Sequence, residues 1–152
     1  MSRSAHLVTF ELDGQRYALH LSAVQIVVRA VEITPLPQAP DCVAGIINFQ
    51  GQVVPVFNLR RRFRLPEREL QLEDHIILAR TARRLVALVV DTVGGVLECA
   101  DGGTVPAETV VPGTEYVEGV VKRTDGLILI HDLNSFLSLH EEQTLEGALA
   151  GP

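Results

Sequence analysis

The chain has 152 residues, 47 % of them hydrophobic and 21 % charged. That composition excludes wholesale disorder and leaves room for one ordinary domain or two very small fused ones. The longest apolar run, Leu85 to Val90, is six residues, far short of the roughly 20 that a membrane helix needs, and Met1 to His6 has no leader-like apolar stretch. The net charge of −6 is uneven: residues 1–99 hold 11 arginines against 10 acids, and eight arginines fall between Arg60 and Arg84.

Strand signals dominate from the start. Leu7 to Leu12 alternates through Val8, Phe10 and Leu12, Asp13-Gly14 supplies a hairpin turn, and Arg16 to Leu21 alternates back. Ser22 opens a single helical turn before the β-branched stretch Val24 to Val31. Pro35, Pro37 and Pro40 then mark an irregular connection. Gly45-Ile-Ile and Val53 to Leu59 make a further pair around Gly51, and Pro55 predicts an edge strand or bulge there because proline cannot donate to a ladder. His75 to Arg80, Leu85 to Val90 and Val93 to Glu98 continue the series, followed by a Gly/Pro-rich loop from Asp101 to Gly113. Gly119-Val-Val and Leu127 to Leu133 flank Asp125-Gly126. Helical spacing appears only from about residue 134, through Phe136, Leu137 and His140.

The two halves superpose. Leu19, Leu21, Val24 and Val27 fall on Leu88, Val90, Val93 and Val96 at an offset of 69. Gly45-Ile-Ile falls on Gly119-Val-Val, and Asn58-Leu59 on Asp132-Leu133, at an offset of 74. Two units of about 70 residues with five short strands each predict an all-β fold of two small barrels or rolled sheets.

The chemistry-bearing residues form no familiar constellation. His6, His20, His75, His131 and His140 share no HxH, HxxxH or HExxH spacing, and Cys42 and Cys99 form no CxxC, so no metal is expected. There is no GxSxG elbow and no phosphate loop, and the only lysine is Lys122. Cys42 and Cys99 read as small apolar fillers in a reducing compartment. Apolar barrel surfaces point instead to a binding module.

Phe10-Glu-Leu-Asp-Gly-Gln-Arg-Tyr-Ala-Leu19, then Ile33 to Pro40 and the block Val43-Ala-Gly-Ile-Ile-Asn-Phe-Gln-Gly-Gln-Val-Val-Pro-Val-Phe-Asn-Leu-Arg60, resemble the CheW family of chemotaxis coupling proteins. Val89 to Val93, Glu115 to Gly119 and Leu127 to Leu133 extend the likeness to nearly the whole chain. The resemblance implies a single domain over 1–152: two pseudo-repeated, intertwined five-stranded SH3-like barrels, subdomain 1 near 7–65 and subdomain 2 near 75–132, with a short C-terminal helix from about 134. It further implies a non-enzymatic cytoplasmic adaptor without cofactor, open to recruitment to membrane-associated receptor arrays, that couples the cytoplasmic tip of a chemoreceptor to the regulatory domain of a CheA-type histidine kinase.

The implied receptor-binding residues are Val24, Ile26, Gly45, Gln50, Gly51, Val93 and Val96, and the implied kinase-binding residues are Val27, Ile33 and Arg60. Ile26 and Gln50 stand where the family usually carries a glutamate and an arginine, so a usual salt bridge is replaced by an uncharged pair. Asn58 replaces a usual aspartate, and the segment between Pro112 and Glu115 is short. Two other readings stay open: a divergent adaptor that localises a different partner, and nucleic-acid binding through the Arg60–Arg84 cluster.

Overall fold

The computed structural model describes residues 4–100, 104–105 and 117–150; the Asp101–Gly113 loop, apart from Thr104 and Val105, and the Pro112–Glu115 segment lie outside them. The strands follow the alternation closely: β1 (Ser4–Leu12), β2 (Gln15–His20), β3 (Val24–Arg29), β4 (Val43–Phe49), β5 (Gln52–Phe57), β6 (His75–Arg80), β7 (Leu85–Val90), β8 (Thr92–Ala100), β9 (Thr104–Val105), β10 (Val117–Arg123) and β11 (Gly126–His131). A short helix α1 (Leu59–Arg62) follows β5, and a longer α2 (Leu139–Ala150) ends the described chain. At both Asp13-Gly14 and Gln50-Gly51 the two central residues have positive φ, as a type I′ hairpin turn requires.

One sheet has the order β3-β6-β7-β5-β4 and the other β8-β1-β2-β11-β10-β9, and they form the two small SH3-like barrels. The strands of the stretches 7–65 and 75–132 interleave between the two barrels. β1 and β2, from the first repeat, sit in the barrel of β8 to β11, while β6 and β7, from the second, complete the barrel of β3 to β5. The registers show an exchange between repeats. β1 pairs with β8 through Phe10↔Val93 and Val8↔Val96, and β6 with β3 through Ala79↔Val24 and Ile77↔Val27, each with a bulge at the same place. Val56↔Ala87 and Ile130↔Ala18 are the matching parallel pairs.

Three apolar clusters result. Ile47, Val54, Val56, Ile76, Leu78, Leu85 and Ala87 fill the first barrel, and Leu7, Ala18, Cys99, Val121, Ile128 and Ile130 fill the second. The largest lies between the barrels, where Phe10, Tyr17, Ile77, Leu88, Phe57, Phe136 and Leu145 meet. β7 therefore buries Leu85 and Ala87 on one face and Val86, Leu88 and Val90 on the other, the reason its sequence is continuously apolar.

Two local expectations change. β5 is an interior strand rather than an edge, yet its parallel pairing with β7 begins only at Val56, so Pro55 sits where no ladder bond to β7 is needed. The helix begins at Leu139, not near 134. Asp132 caps a 3-10 turn at Leu133–Ser135, Phe136 and Leu137 enter the central cluster, and only then does Ser138 open α2. Its Oγ accepts from the Glu141 N–H at 3.1 Å, while Glu141 accepts from the Ser138 N–H at 2.9 Å, a capping box.

Candidate partner-binding surfaces

β3 and β8 are edge strands of their sheets and occupy equivalent places in the two repeats. The bulge between Val24 and Ile26 turns Val24 and Val27 to the same side, where both pack against the central cluster, as Val93 does from β8. Ile26 is 41 % exposed and Val96 60 % exposed. Of the residues assigned to the receptor, then, Ile26 and Val96 are open to a partner, while Val24 and Val93 are half-buried wall.

Gln50 and Gly51 form the exposed β4–β5 turn, braced by the Asn48 Oδ1, which accepts from the Gly51 N–H at 2.9 Å. Gly45 is buried inside the fold. The chain after β3 crosses it to make the Thr34↔Ile46 bridge, and a Cβ at Gly45 would lie 2.3 Å from the Thr34 carbonyl oxygen. Packing alone thus demands glycine at 45, whereas a Cβ on Gly51 would meet nothing within 4 Å.

The residues assigned to the kinase divide. Val27 packs inward. Ile33 and Arg60 come together in the lining of a cavity of about 270 Å³, with Phe57, Leu70, Val89 and Asp91. Leu70 (38 %), Leu72 (85 %) and Val31 (44 %) are exposed apolar side chains close to this cavity in the chain.

Arg60 is engaged internally. Its Nη2 donates to both Asp91 carboxylate oxygens at 2.8 and 2.9 Å, and its Nη1 donates to the Pro66 carbonyl at 2.7 Å. Asp91 also accepts from Arg68 at 2.7 Å and from the Asp13 N–H at 2.9 Å, and Arg68 holds Asp74 at 2.6 and 3.0 Å. Partial burial raises the Asp91 carboxyl, but hydrogen bonds from Arg60 and the Asp13 N–H outweigh it, and its pKa lies below the usual carboxylate range. Asp74 behaves alike: burial is overcome by Arg68 and the Gln71 N–H. Nothing in the spacing of Arg60, Arg68, Asp74 and Asp91 signals this network, because its members meet only through tertiary contacts.

The arginine cluster is largely neutralised. Arg60, Arg61, Arg62, Arg68, Arg83 and Arg84 all pair with carboxylates, which removes the free basic face that phosphate binding requires. Among the described residues no group of three or more His, Cys, Asp or Glu is placed to hold a metal ion. Burial, against the opposing pull of Arg62, holds the Cys42 thiol above its usual pKa, the reverse of an activated nucleophile. No described helix is long and apolar enough to cross a membrane.

Comparison with known proteins agrees with this geometry. Residues 6–141 match the family profile described as CheW-like domain. The Chemotaxis protein CheW of Thermotoga maritima is 31 % identical over 125 residues, covering 82 % of each chain. That of Treponema pallidum is 27 % identical over 145 residues, covering 91 % of this chain and 85 % of its own. The crystal structure of the scaffolding protein TtCheW from Thermoanaerobacter tengcongensis superposes with a TM-score of 0.83 at 30 % identity, covering 91 % of this chain and 96 % of that one.

Proposed function

The chain belongs to the CheW-like family, and on that premise we propose that it is a non-enzymatic cytoplasmic adaptor that couples the cytoplasmic tip of a chemoreceptor to a CheA-type histidine kinase. Family membership over residues 6–141 carries the reading. The receptor helix lies against β3 and β8, on Ile26 and Val96 with Val24 and Val93 behind them, and Gln50 borders the contact. The kinase regulatory domain docks at the end of the first barrel around Val27, Ile33 and Arg60. Coupling is linkage: an adaptor that binds two receptor states unequally passes that difference to whatever else it binds.

The uncharged Ile26 and Gln50 set the test. An apolar contact is insensitive to screening, whereas a charge-paired one weakens with salt. Affinity for the cognate receptor tip, measured by titration calorimetry, therefore changes less than about twofold between low and moderate NaCl. Because Ile26 is 41 % exposed, Ile26→Glu leaves the fold intact but weakens tip binding by about tenfold through the cost of burying an unpaired carboxylate. Adding Gln50→Arg restores most of that loss. Steep salt dependence, or an Ile26→Glu variant that binds like wild type, removes these positions from the interface. For the kinase face, Val27→Glu is informative only beside an unfolding curve, since Val27 also packs on the central cluster.

A further inference from the structure

The pseudo-repeat gives the molecule two equivalent corners, and they are closed differently. At the first, the β1–β2 turn donates its Asp13 N–H to Asp91, which in turn holds Arg60 and Arg68. At the second, the β6–β7 turn donates its Ala82 N–H straight to the Asn134 Oδ1 at 2.7 Å. By the offsets of 69 and 74, Ala82 corresponds to Asp13, Asn134 to Arg60 and Ser22 to Asp91. The second corner thus closes its turn N–H on a neutral amide, its charges at Arg83 and Arg84 being turned to Glu142 and Glu146 of α2 instead, so the fold itself does not require a carboxylate at this position.

What the charged corner adds is a set of connections. Asp91 stands where the chain leaves β7 of one barrel for β8 of the other, and its N–H bonds the Glu11 carbonyl of β1 at 3.0 Å. Arg68 lies in the segment 64–74 that joins the two repeats, and Asp74 ends that segment immediately before β6, its carbonyl accepting from the Ala30 N–H at 3.1 Å. Arg60 follows β5 and shares a cavity with Ile33, Arg68, Leu70 and Asp91. The Arg60, Arg68, Asp74 and Asp91 side chains are 12 %, 29 %, 4 % and 26 % exposed. Shielding at this level keeps such pairs stronger than surface pairs.

We propose that Arg60, Arg68, Asp74 and Asp91 form an electrostatic joint that makes the segment 64–74, with the Ile33/Arg60 cavity, and the edge strand β8, with Val93 and Val96, respond as one unit. The adaptor reading is used only for what the two regions bind. The joint is a positioning device: Arg68 reaches β8 only through Asp91, so its influence there is indirect.

Hydrogen exchange followed by mass spectrometry on the full chain tests it. Arg68→Gln accelerates exchange about tenfold in 64–74 and also in 92–97, while 119–131 is unchanged, since local stability is lost only where the joint holds it. Asp91→Asn does the same. Asn134→Ala, which opens the neutral corner, leaves 92–97 at the wild-type rate. Acceleration of 64–74 alone overturns the proposal, as does no acceleration anywhere, or acceleration of 92–97 by Asn134→Ala. Should Asp91→Asn fail to fold, Arg68→Gln decides the matter by itself. With the receptor tip added, exchange in 64–74 slows in wild type and not in Arg68→Gln; equal slowing in both overturns the joint. A tip that does not bind at all defeats the adaptor reading, while exchange in the free protein still decides on the joint.

Discussion

His131 shows how much one side chain depends on its surroundings. It ends β11 at 2 % exposure, with its ring edge-on to Phe63 at 5.1 Å and tilted against Phe136 at 5.8 Å. Neither ring nitrogen has a hydrogen-bond partner among the described residues. Burial lowers its pKa from 6.5 to about 3. A histidine depressed in the folded state binds its proton first in the unfolded state, so the stability it permits is whole above pH 6.5 and is lost as pH falls toward 3. Urea unfolding between pH 7 and 5 should show a decline approaching about 1.4 kcal/mol per pH unit below 6.5. His131→Leu should flatten that decline, because an apolar side chain of similar size has no proton to take up. An unchanged slope would mean that water reaches the ring.

At the scale of elements, α2 is held to the barrels by charge as well as by Leu145. Arg84 pairs with Glu142 at 3.0 Å and Glu146 at 3.2 Å, and Arg62 pairs with Glu141 at 2.7 Å. The Arg84 and Glu142 side chains are only 15 % and 13 % exposed. Removing one partner of a shielded pair leaves the other uncompensated, whereas replacing both with apolar groups does not. Glu142→Gln should therefore cost about 1–2 kcal/mol in urea unfolding, and Arg84→Met with Glu142→Leu should recover most of it. A single variant as stable as wild type would show that Glu146 suffices to balance Arg84. The bulges in β3 and β8 act at the same scale: one extra residue decides that Val24 and Val27 face the core together while Ile26 stays 41 % exposed.

For the whole molecule, the exchange of hairpins between repeats makes each half dependent on the other. Residues 1–71 hold β1 to β5 but lack β6 and β7, without which β3 loses its partner and β5 its parallel neighbour. Residues 72–152 lack β1 and β2, which separate β8 from β11. A nick in the exposed segment at Leu72 cuts between the repeats without entering a strand. The two fragments, made separately, should each lack a cooperative thermal transition, and mixing them should restore β-sheet circular dichroism and a single transition, since only together do they bury the central cluster. A cooperative transition in either fragment alone would show that a barrel closes from one repeat.

Much of this was written in local pattern. Alternation at Val8, Phe10 and Leu12, the turns at Asp13-Gly14 and Asp125-Gly126, and the offsets of 69 and 74 specified the strands and the duplication, because turn chemistry and period-2 burial act over a few residues. The capping box at Ser138 and Glu141 is a local signal that the sequence reading passed over, although it marks the start of α2 more sharply than the apolar periodicity from 134 does. Which barrel each hairpin enters was not legible locally: β1–β2 has the same turn and the same two faces whether it pairs with β3 or β8, and only long-range pairing distinguishes them. Val24, Val27, Gly45 and Arg60 are all expected at partner surfaces from the sequence, yet their engagement inside the fold depends on a bulge, a crossing chain at Thr34 and a carboxylate 31 residues away at Asp91. The sequence by itself determined the elements, since those are set by neighbours along the chain. The tertiary structure decided exposure, the burial of His131 and the charged corner, since those are set by neighbours in space.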